Sequence, residues 1–472
     1  MPLKHLVAAR PFHLATHSLM NSMRFVRFLF RRLSMLLQDA SASWQAMDQK
    51  ISASTGIFAV TLAVAILFGG DALRAQDFYL HNGDRLTFYG DSITAQRFYT
   101  RDIQDFVATR YPNLQMTYHN AGVPGDKVTG GYAGDAAARV ARDVKPWDPT
   151  VLTVMLGVND GDYVPPDPKI FADYQEGYER LITMLRAAAP RARITLIENT
   201  PYDEVTHGTE FTGFMATTEQ NAKATPALAQ RESLPVVDAY SPVKELLEHA
   251  KAADPSFASL LLPDRIHPSE PLHWVMAESV MKTWRIDPVV SEVTLSATSQ
   301  AVTHSRRTKV SGVQAHGGAL DWDQLDEALP LPFNFENALM NFVLKNSDLA
   351  SCDQEMLKVE DLQSGAYKLT IDKRDVGTFS EAQLSVGINL ALLKTPMWEQ
   401  AREYDAALER RSELEQADFV LFAETDLKDK AAASRILREG EAVFEQKAQE
   451  ALRISTHHYT LTPLNHTIVP NS

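Results

Sequence analysis

Cysteine is almost absent from this 472-residue chain. Cys352 stands alone, so no intrachain disulfide is possible and stability must come from a packed core. The fourteen histidines show no zinc-type ligand spacing, and neither a metal nor another cofactor is expected. A phosphate cradle is missing too, because Gly130, Gly131 and Gly134 lack the Lys-Ser/Thr ending that such a loop requires. Basic charge is outnumbered beyond the first residues. The net charge is -14, but residues 1–75 carry eight Lys/Arg against three Asp, which leaves -19 on the rest. A body this acidic repels phosphate backbones, so no nucleic-acid partner is expected.

What is present suits a folded protein of more than one globular part, with 45% hydrophobic and 22% charged residues. The run Ile57 to Phe68 (IFAVTLAVAILF) has twelve residues, too few to span a bilayer comfortably but right for the apolar region of a signal peptide. Translation from Met47 places Lys50 in a short basic lead, and cleavage near Ala75 exports the chain to a periplasmic or extracellular space. The alternative keeps the longer N-terminus, with Arg24 to Leu37 as a basic surface helix and residues 57–68 as an uncleaved anchor. Membrane contact is expected only through this segment.

After Gln76, short strand-like runs alternate with helical ones, the pattern of an α/β domain with a parallel sheet. The five candidates are LTFY (86–89), MTYH (116–119), VLTVML (151–156), ITLIE (194–198) and PVVD (235–238). Phe171, Tyr174, Tyr178, Leu181, Ile182 and Leu185 recur at helical spacing and predict a helix packed on that sheet. Ser269 and Pro271 predict the start of a last helix. This domain is expected over 76–290. Strand signals without intervening helices predict a β-rich, sandwich-like domain over 291–394, and Thr395-Pro396 opens a helical segment over 395–472.

The chemistry gathers at strand ends, where open α/β sheets bind ligands. Ser92 follows the first strand in LTFY-Gly90-Asp91-Ser92, and a serine hydroxyl becomes nucleophilic only beside a base. Among the histidines, His267 has the most suggestive neighbourhood, Pro263-Asp264-Arg265-Ile266-His267-Pro268, with Asp264 close enough to fix its tautomer. Donors for a developing oxyanion are offered after the second strand by the Gly122 amide, in Asn120-Ala121-Gly122, and after the third by the Asn159 side chain, in Gly157-Val158-Asn159-Asp160. Asp91 and Asp160 are expected to hold turns. Arg97 is placed to bind an anionic substrate group or to form an ion pair. Tyr163, Tyr202 and Trp274 form either a sugar-stacking wall or packing. His119, His207 and His273 are expected to be ordinary polar or surface histidines rather than part of the cleft.

Four segments in this order, GDS at Gly90 to Ser92, a glycine turn at Gly122, GxND at Gly157 to Asp160 and DxxHP at Asp264 to Pro268, resemble the SGNH hydrolases, also called GDSL esterases/lipases. Ile93 replaces the leucine of the family's namesake. The resemblance covers the 76–290 domain and implies a flavodoxin-like three-layer α/β/α fold. It also implies Ser92 as nucleophile, Asp264 and His267 completing a triad, and the Ser92 and Gly122 amides with the Asn159 side chain as oxyanion hole. The expected function is ester hydrolysis through an acyl-enzyme, on a small-molecule or polysaccharide ester. Removal of acetyl or other short acyl groups from a carbohydrate is the first expectation. A lipase or lysophospholipase, an acyltransferase, and a glycan-binding protein with a vestigial hydrolase domain stand as alternatives.

Overall fold

The strand candidate LTFY forms β1 (Arg85–Gly90) in the computed structural model, which describes residues 78–206, 210–424 and 429–464. The other four become β2 (Thr117–Gly122), β3 (Val151–Met155), β4 (Arg193–Ile197) and β5 (Val236–Val237). They form one sheet of order β2-β1-β3-β4-β5, every neighbouring pair parallel. Both faces are covered. Leu86, Phe88, Val151, Met155, Ile197 and Val237 enter one core, and Tyr89, Ala121, Leu152, Val154, Ile194 and Leu196 enter the other. Alternate side chains point to opposite faces, so strands buried on both sides are apolar almost throughout.

Eight helices accompany this sheet: α1 (Ser92–Ala95), α2 (Phe98–Arg110), α3 (Ala136–Asp143), α4 (Pro168–Ala188), α5 (Phe214–Glu232), α6 (Tyr240–Ala253), α7 (Pro255–Leu261) and α8 (Glu270–Thr283). Helices α2, α6 and α8 fill one layer, through residues such as Ile103, Phe106, Val243, Leu247, Val275 and Met281. Val140 of α3, Leu228 of α5 and Tyr174, Tyr178, Leu181 and Leu185 of α4 fill the other. Asp167 caps α4 by accepting from the Lys169 and Ile170 amides, and Pro168 occupies its first turn. The three-layer α/β/α architecture predicted for this part of the chain is present.

Chain order creates the crevice. From β1 the chain steps to β2 on one side, then crosses back to β3 on the other, and ligands bind where that direction reverses. Register sharpens the point, since Gly90 lies opposite both Gly122 and Met155. Three loops therefore leave the sheet from one row.

Beyond α8 the chain forms two further sheets. Strands β6 (Val289–Ser296), β7 (Ala301–Arg306), β8 (Thr308–His316), β9 (Ala319–Asp326), β10 (Gln354–Glu360), β11 (Ala366–Ile371), β12 (Arg374–Ser380), β13 (Ile388–Asn389) and β14 (His457–Pro463) pair as β8-β9-β14-β11-β12 and β13-β10-β6-β7. The β11–β12 hairpin turns on Asp372 and Lys373, both at positive φ, as a two-residue hairpin loop of matching twist requires. Helices α9 (Ala338–Asn346), α10 (Glu381–Val386), α11 (Pro396–Glu424) and α12 (Lys430–Ala451) complete the chain. Thr395 accepts from the Trp398 amide at the start of α11, as its place before Pro396 suggests.

Two features depart from the expected division. Leu331, Phe333, Met340, Val343, Leu349 and Cys352 join the same core as α2 and α8, although they lie in the stretch expected to be β-rich. The segment after Thr395 also ends in a strand: β14 lies between β9 and β11, with Tyr459 and Leu461 pointing into the sandwich core. The described residues form one compact unit. No helix among the described residues is long and apolar enough to cross a membrane. The apolar run at 57–68, with Met47 and Ala75, lies outside the described residues.

A buried ion pair joins the two parts of this unit. Arg110, at the end of α2, donates to Asp353 at 2.8 Å, and neither side chain is exposed. Asp353 also accepts from the Leu331 amide at 2.7 Å. Removing one partner of such a pair strands the other, at a cost of about 3–5 kcal/mol. Arg110→Met should lower stability by roughly that amount in urea denaturation, and an unchanged midpoint would show that the pair is not needed.

Candidate active site

Ser92 stands at the first position of α1, directly after β1. Its backbone amide is among those a helix leaves without an internal acceptor. Asp91 caps the helix by accepting from the Ile93 amide at 2.9 Å. The Ser92 hydroxyl lies 2.7 Å from His267 Nε2, and His267 Nδ1 lies 2.6 Å from Asp264 Oδ2. With Nδ1–H donating to the carboxylate, Nε2 is left to accept the serine proton.

The loop that presents His267 is built to hold Asp264 in place. Asp264 Oδ1 accepts from the Ile266 amide at 3.0 Å and the His267 amide at 2.7 Å. Arg265 takes a positive φ of 70°, which bends the chain between acid and base, and its carbonyl accepts from the Asp203 amide at 2.9 Å. Partial burial works against the Asp264 charge, but the hydrogen bonds from the His267 amide and ring and the Ile266 amide outweigh it. The carboxyl is held below its ordinary value.

Asn159 opens a one-turn 3-10 helix after β3. Its Nδ2 donates to the Asp126 carbonyl at 3.0 Å, and its Oδ1 accepts from the Tyr163 hydroxyl at 2.7 Å. One Nδ2 hydrogen is left over. Residues 88–275 match the family of GDSL-like lipases/acylhydrolases. That part of the chain is an SGNH/GDSL hydrolase domain. It is a carboxylic ester hydrolase by class, with 24% identity over 218 residues to an acetylxylan esterase of Geobacillus stearothermophilus, covering 43% of this chain and 94% of that protein. The solved structure of a gut microbial diltiazem-metabolizing enzyme shares the fold at a TM-score of 0.69 and 24% identity, over 82% of this chain and 98% of that one.

In this hydrolase the Gly122 amide does not face the site as expected. It donates to Asn120 Oδ1 at 3.0 Å, and a Cβ on Gly122 would lie 2.3 Å from the Ala95 nitrogen. Gly122 is there so that β2 can press against the turn that carries Ser92. The same Asn120 donates through Nδ2 to the Thr94 carbonyl at 2.7 Å and to Thr100 Oγ1 at 3.0 Å, clamping α1 to β2. Three residues later Gly125 is exposed at φ 72°, and among the described residues its amide has no hydrogen-bond partner.

Other expected residues are placed elsewhere. Arg97 is buried and donates to Glu415 of α11 at 2.8 Å, so it is the ion pair and not the substrate ligand. Tyr202 is buried against Phe214, and Trp274 between Phe106 and Phe333; both are core packing rather than a sugar wall. Tyr163 is half-buried beside Asn159. His119 stacks on Trp147, and His273 is buried with Nδ1 accepting from the Tyr99 amide. Desolvation, first of all, pushes both rings down to about 3. His207 lies outside the described residues.

Asn120, Gly125 and Arg139 also build the site, without a motif that marks them. Arg139 is fully buried, pairs with Asp126 at 3.0 Å and with Asp143, and donates to the Ala121 carbonyl at 2.9 Å. It binds the loop after β2 to the end of that strand. An arginine within an Ala-rich helix carries no local sign of such burial. Among the described residues, no group of three or more His, Cys, Asp or Glu is arranged to hold a metal ion.

Two buried acids flank the site. Asp160 accepts from the Val128 amide at 3.0 Å, so it holds a distant loop and not its own turn. Burial pushes the Asp91 carboxyl up to about 7 against the stabilising Ile93 amide, with the charges of Asp160 and Asp126 adding to the rise. A carboxyl raised on folding stabilises the fold fully below its unfolded value of about 3.9, and that contribution is lost as pH rises through about 7. Asn does not titrate. The melting temperature of Asp91→Asn relative to the parent should therefore rise from pH 5 to pH 8.5, and a constant or falling offset in thermal denaturation would contradict this.

Proposed function

We propose that this hydrolase cleaves esters through an acyl-enzyme on Ser92, removing acetyl or other short acyl groups from a carbohydrate. The observation that carries the mechanism is the unbroken hydrogen-bonded chain from Asp264 through His267 to Ser92, at 2.6 and 2.7 Å. Ser92 Oγ attacks the ester carbonyl while its proton passes to His267 Nε2, and Asp264 steadies the resulting imidazolium. The imidazolium then protonates the leaving alcohol. Water, deprotonated by the same nitrogen, releases the acid and restores Ser92.

The negative oxygen formed in each half needs donors aimed at it. We assign the Ser92 amide, the spare Nδ2 hydrogen of Asn159 and the Gly125 amide to this task, Gly125 taking the place first expected of Gly122. The carbohydrate substrate is supported by the acetylxylan esterase relative, 94% of whose length this chain matches. The proposal of export rests on residues 57–75 of the sequence alone, and N-terminal sequencing of the secreted protein tests it.

Ser92→Ala should lower p-nitrophenyl acetate hydrolysis by at least about 10⁴-fold while circular dichroism stays unchanged; full activity would refute the nucleophile. Asn159→Ala should cost about 10²–10³-fold in kcat. Because a protonated imidazole cannot accept the serine proton, kcat/KM should fall on acidification toward pH 5, and a flat profile would count against His267. Acetate release from a panel of acetylated polysaccharides, with long-chain esters alongside, tests the substrate. Preference for the long chains would favour a lipase instead.

A further inference from the structure

Tyr163 has an unusual backbone for a residue beside a catalytic turn. Asp162 and Tyr163 follow the Asn159–Gly161 turn with φ values of 51° and 57°, two consecutive side-chain-bearing residues in the left-handed region. Such positions are costly and persist only where the surroundings fix them. Here Asp162 pairs with Lys127, and the Tyr163 ring packs against Phe211 and Phe214, with centroids 5.1 and 4.9 Å away. The outcome of this contortion is that the Tyr163 hydroxyl reaches back four residues to donate to Asn159 Oδ1 at 2.7 Å.

The carboxamide of Asn159 is then bound at both ends. Asp126 offers only a carbonyl oxygen, which admits the NH₂ end and rejects the oxygen end. Tyr163 fills the oxygen end with a donor. Neither bond uses the second Nδ2 hydrogen, and together they hold the amide plane so that this hydrogen keeps one direction. Donation into Oδ1 also draws electron density from the amide nitrogen, which strengthens the remaining N–H as a donor, as chains of hydrogen bonds do.

We infer that Tyr163 is a positioning residue for the oxyanion donor Asn159, acting through its hydroxyl and not through contact with substrate. The inference rests on the hydrolase reading above, in which Asn159 binds the oxyanion. The ring is half-buried and already packed on Phe211 and Phe214, so Tyr163→Phe removes the donor while leaving the packing in place. A misdirected donor weakens the transition state more than the bound ester, since catalysis depends on interactions that grow on the way to it.

The test is steady-state kinetics on p-nitrophenyl acetate with the full chain, comparing the parent, Tyr163→Phe, Asn159→Ala and the double variant. Tyr163→Phe should lower kcat about tenfold, less than the 10²–10³-fold that losing a donor outright costs, with KM unchanged within about twofold. Binding of phenylboronic acid, which forms a tetrahedral anionic adduct on serine, should weaken by the same factor. In the Asn159→Ala background the substitution should have no further effect, because the group it positions is gone. An unchanged kcat, a rise confined to KM, an undiminished effect without Asn159, or a kcat loss that tracks a lower melting temperature would each overturn the role. If the parent and Ser92→Ala were equally inert toward every ester, the hydrolase reading would fall and this role with it. An active parent with an unaffected Tyr163→Phe overturns the role of Tyr163 alone.

Discussion

A hydrogen bond of 2.7 Å joins His267 to Ser92 across 175 positions of sequence, and the sheet is arranged so that it can form. Parallel pairing with Gly90, Gly122 and Met155 in one row brings the loops after β1, β2 and β3 to the same edge. The loop after α7 then needs only to arrive with its imidazole turned inward. Rigidity at that edge comes from buried polar side chains, Asn120 between β2 and α1, and Arg139 between β2 and the following loop. Asn120 is satisfied by the Gly122 amide, the Thr94 carbonyl and the Thr100 hydroxyl, and Arg139 by carbonyls and carboxylates, which lets a polar group tie loops together without the penalty of an unmet donor.

How legible all this was in the sequence depends on how local each constraint is. Ser92, Asp264, His267 and Asn159 sit in short segments whose residue types state their chemistry, and the five parallel strands announced themselves by short strand-like runs that alternate with helical ones. Gly122 shows the limit. Gly122 ends β2 and Gly125 follows it, and nothing in Asn120-Ala121-Gly122-Val123-Pro124-Gly125 reveals that the Asn120 side chain consumes the first amide and leaves the second open. Tyr202 and Trp274 failed as a sugar wall for a related reason. Each follows a strand end or the His loop, but Trp274 is enclosed by Phe333, 59 residues away, and Arg97 meets Glu415 at a separation of 318. The β14 strand has clear alternation at Tyr459 and Leu461, yet its partners lie some 90 to 140 residues earlier.

The C-terminal part is more than an appendage. Arg101 on α2 is bonded to Glu270, three residues past His267, and to Asp405 on α11, at 2.7 and 3.2 Å. With Arg97 reaching Glu415, the helix that follows the Ser92 turn is tied to α11 directly, and the helix that follows the His267 loop is tied to it through Arg101. Much of this interface is polar and buried, a composition that specifies one mutual placement more strictly than apolar packing does.

The position of β14 also bears on how the protein is made. In an elongating chain β9 and β11 emerge as two unjoined edges, and 85 residues separate Ile371 from His457, the first residue of the strand that unites them. At 5–20 residues per second this interval lasts on the order of ten seconds. Throughout it the sandwich presents open strand edges of the kind that seek other chains, while the parallel sheet and its crevice, complete by residue 283 apart from the packing of 331–352, can already have formed. Synthesis therefore delivers the reactive serine before the domain beside it can close.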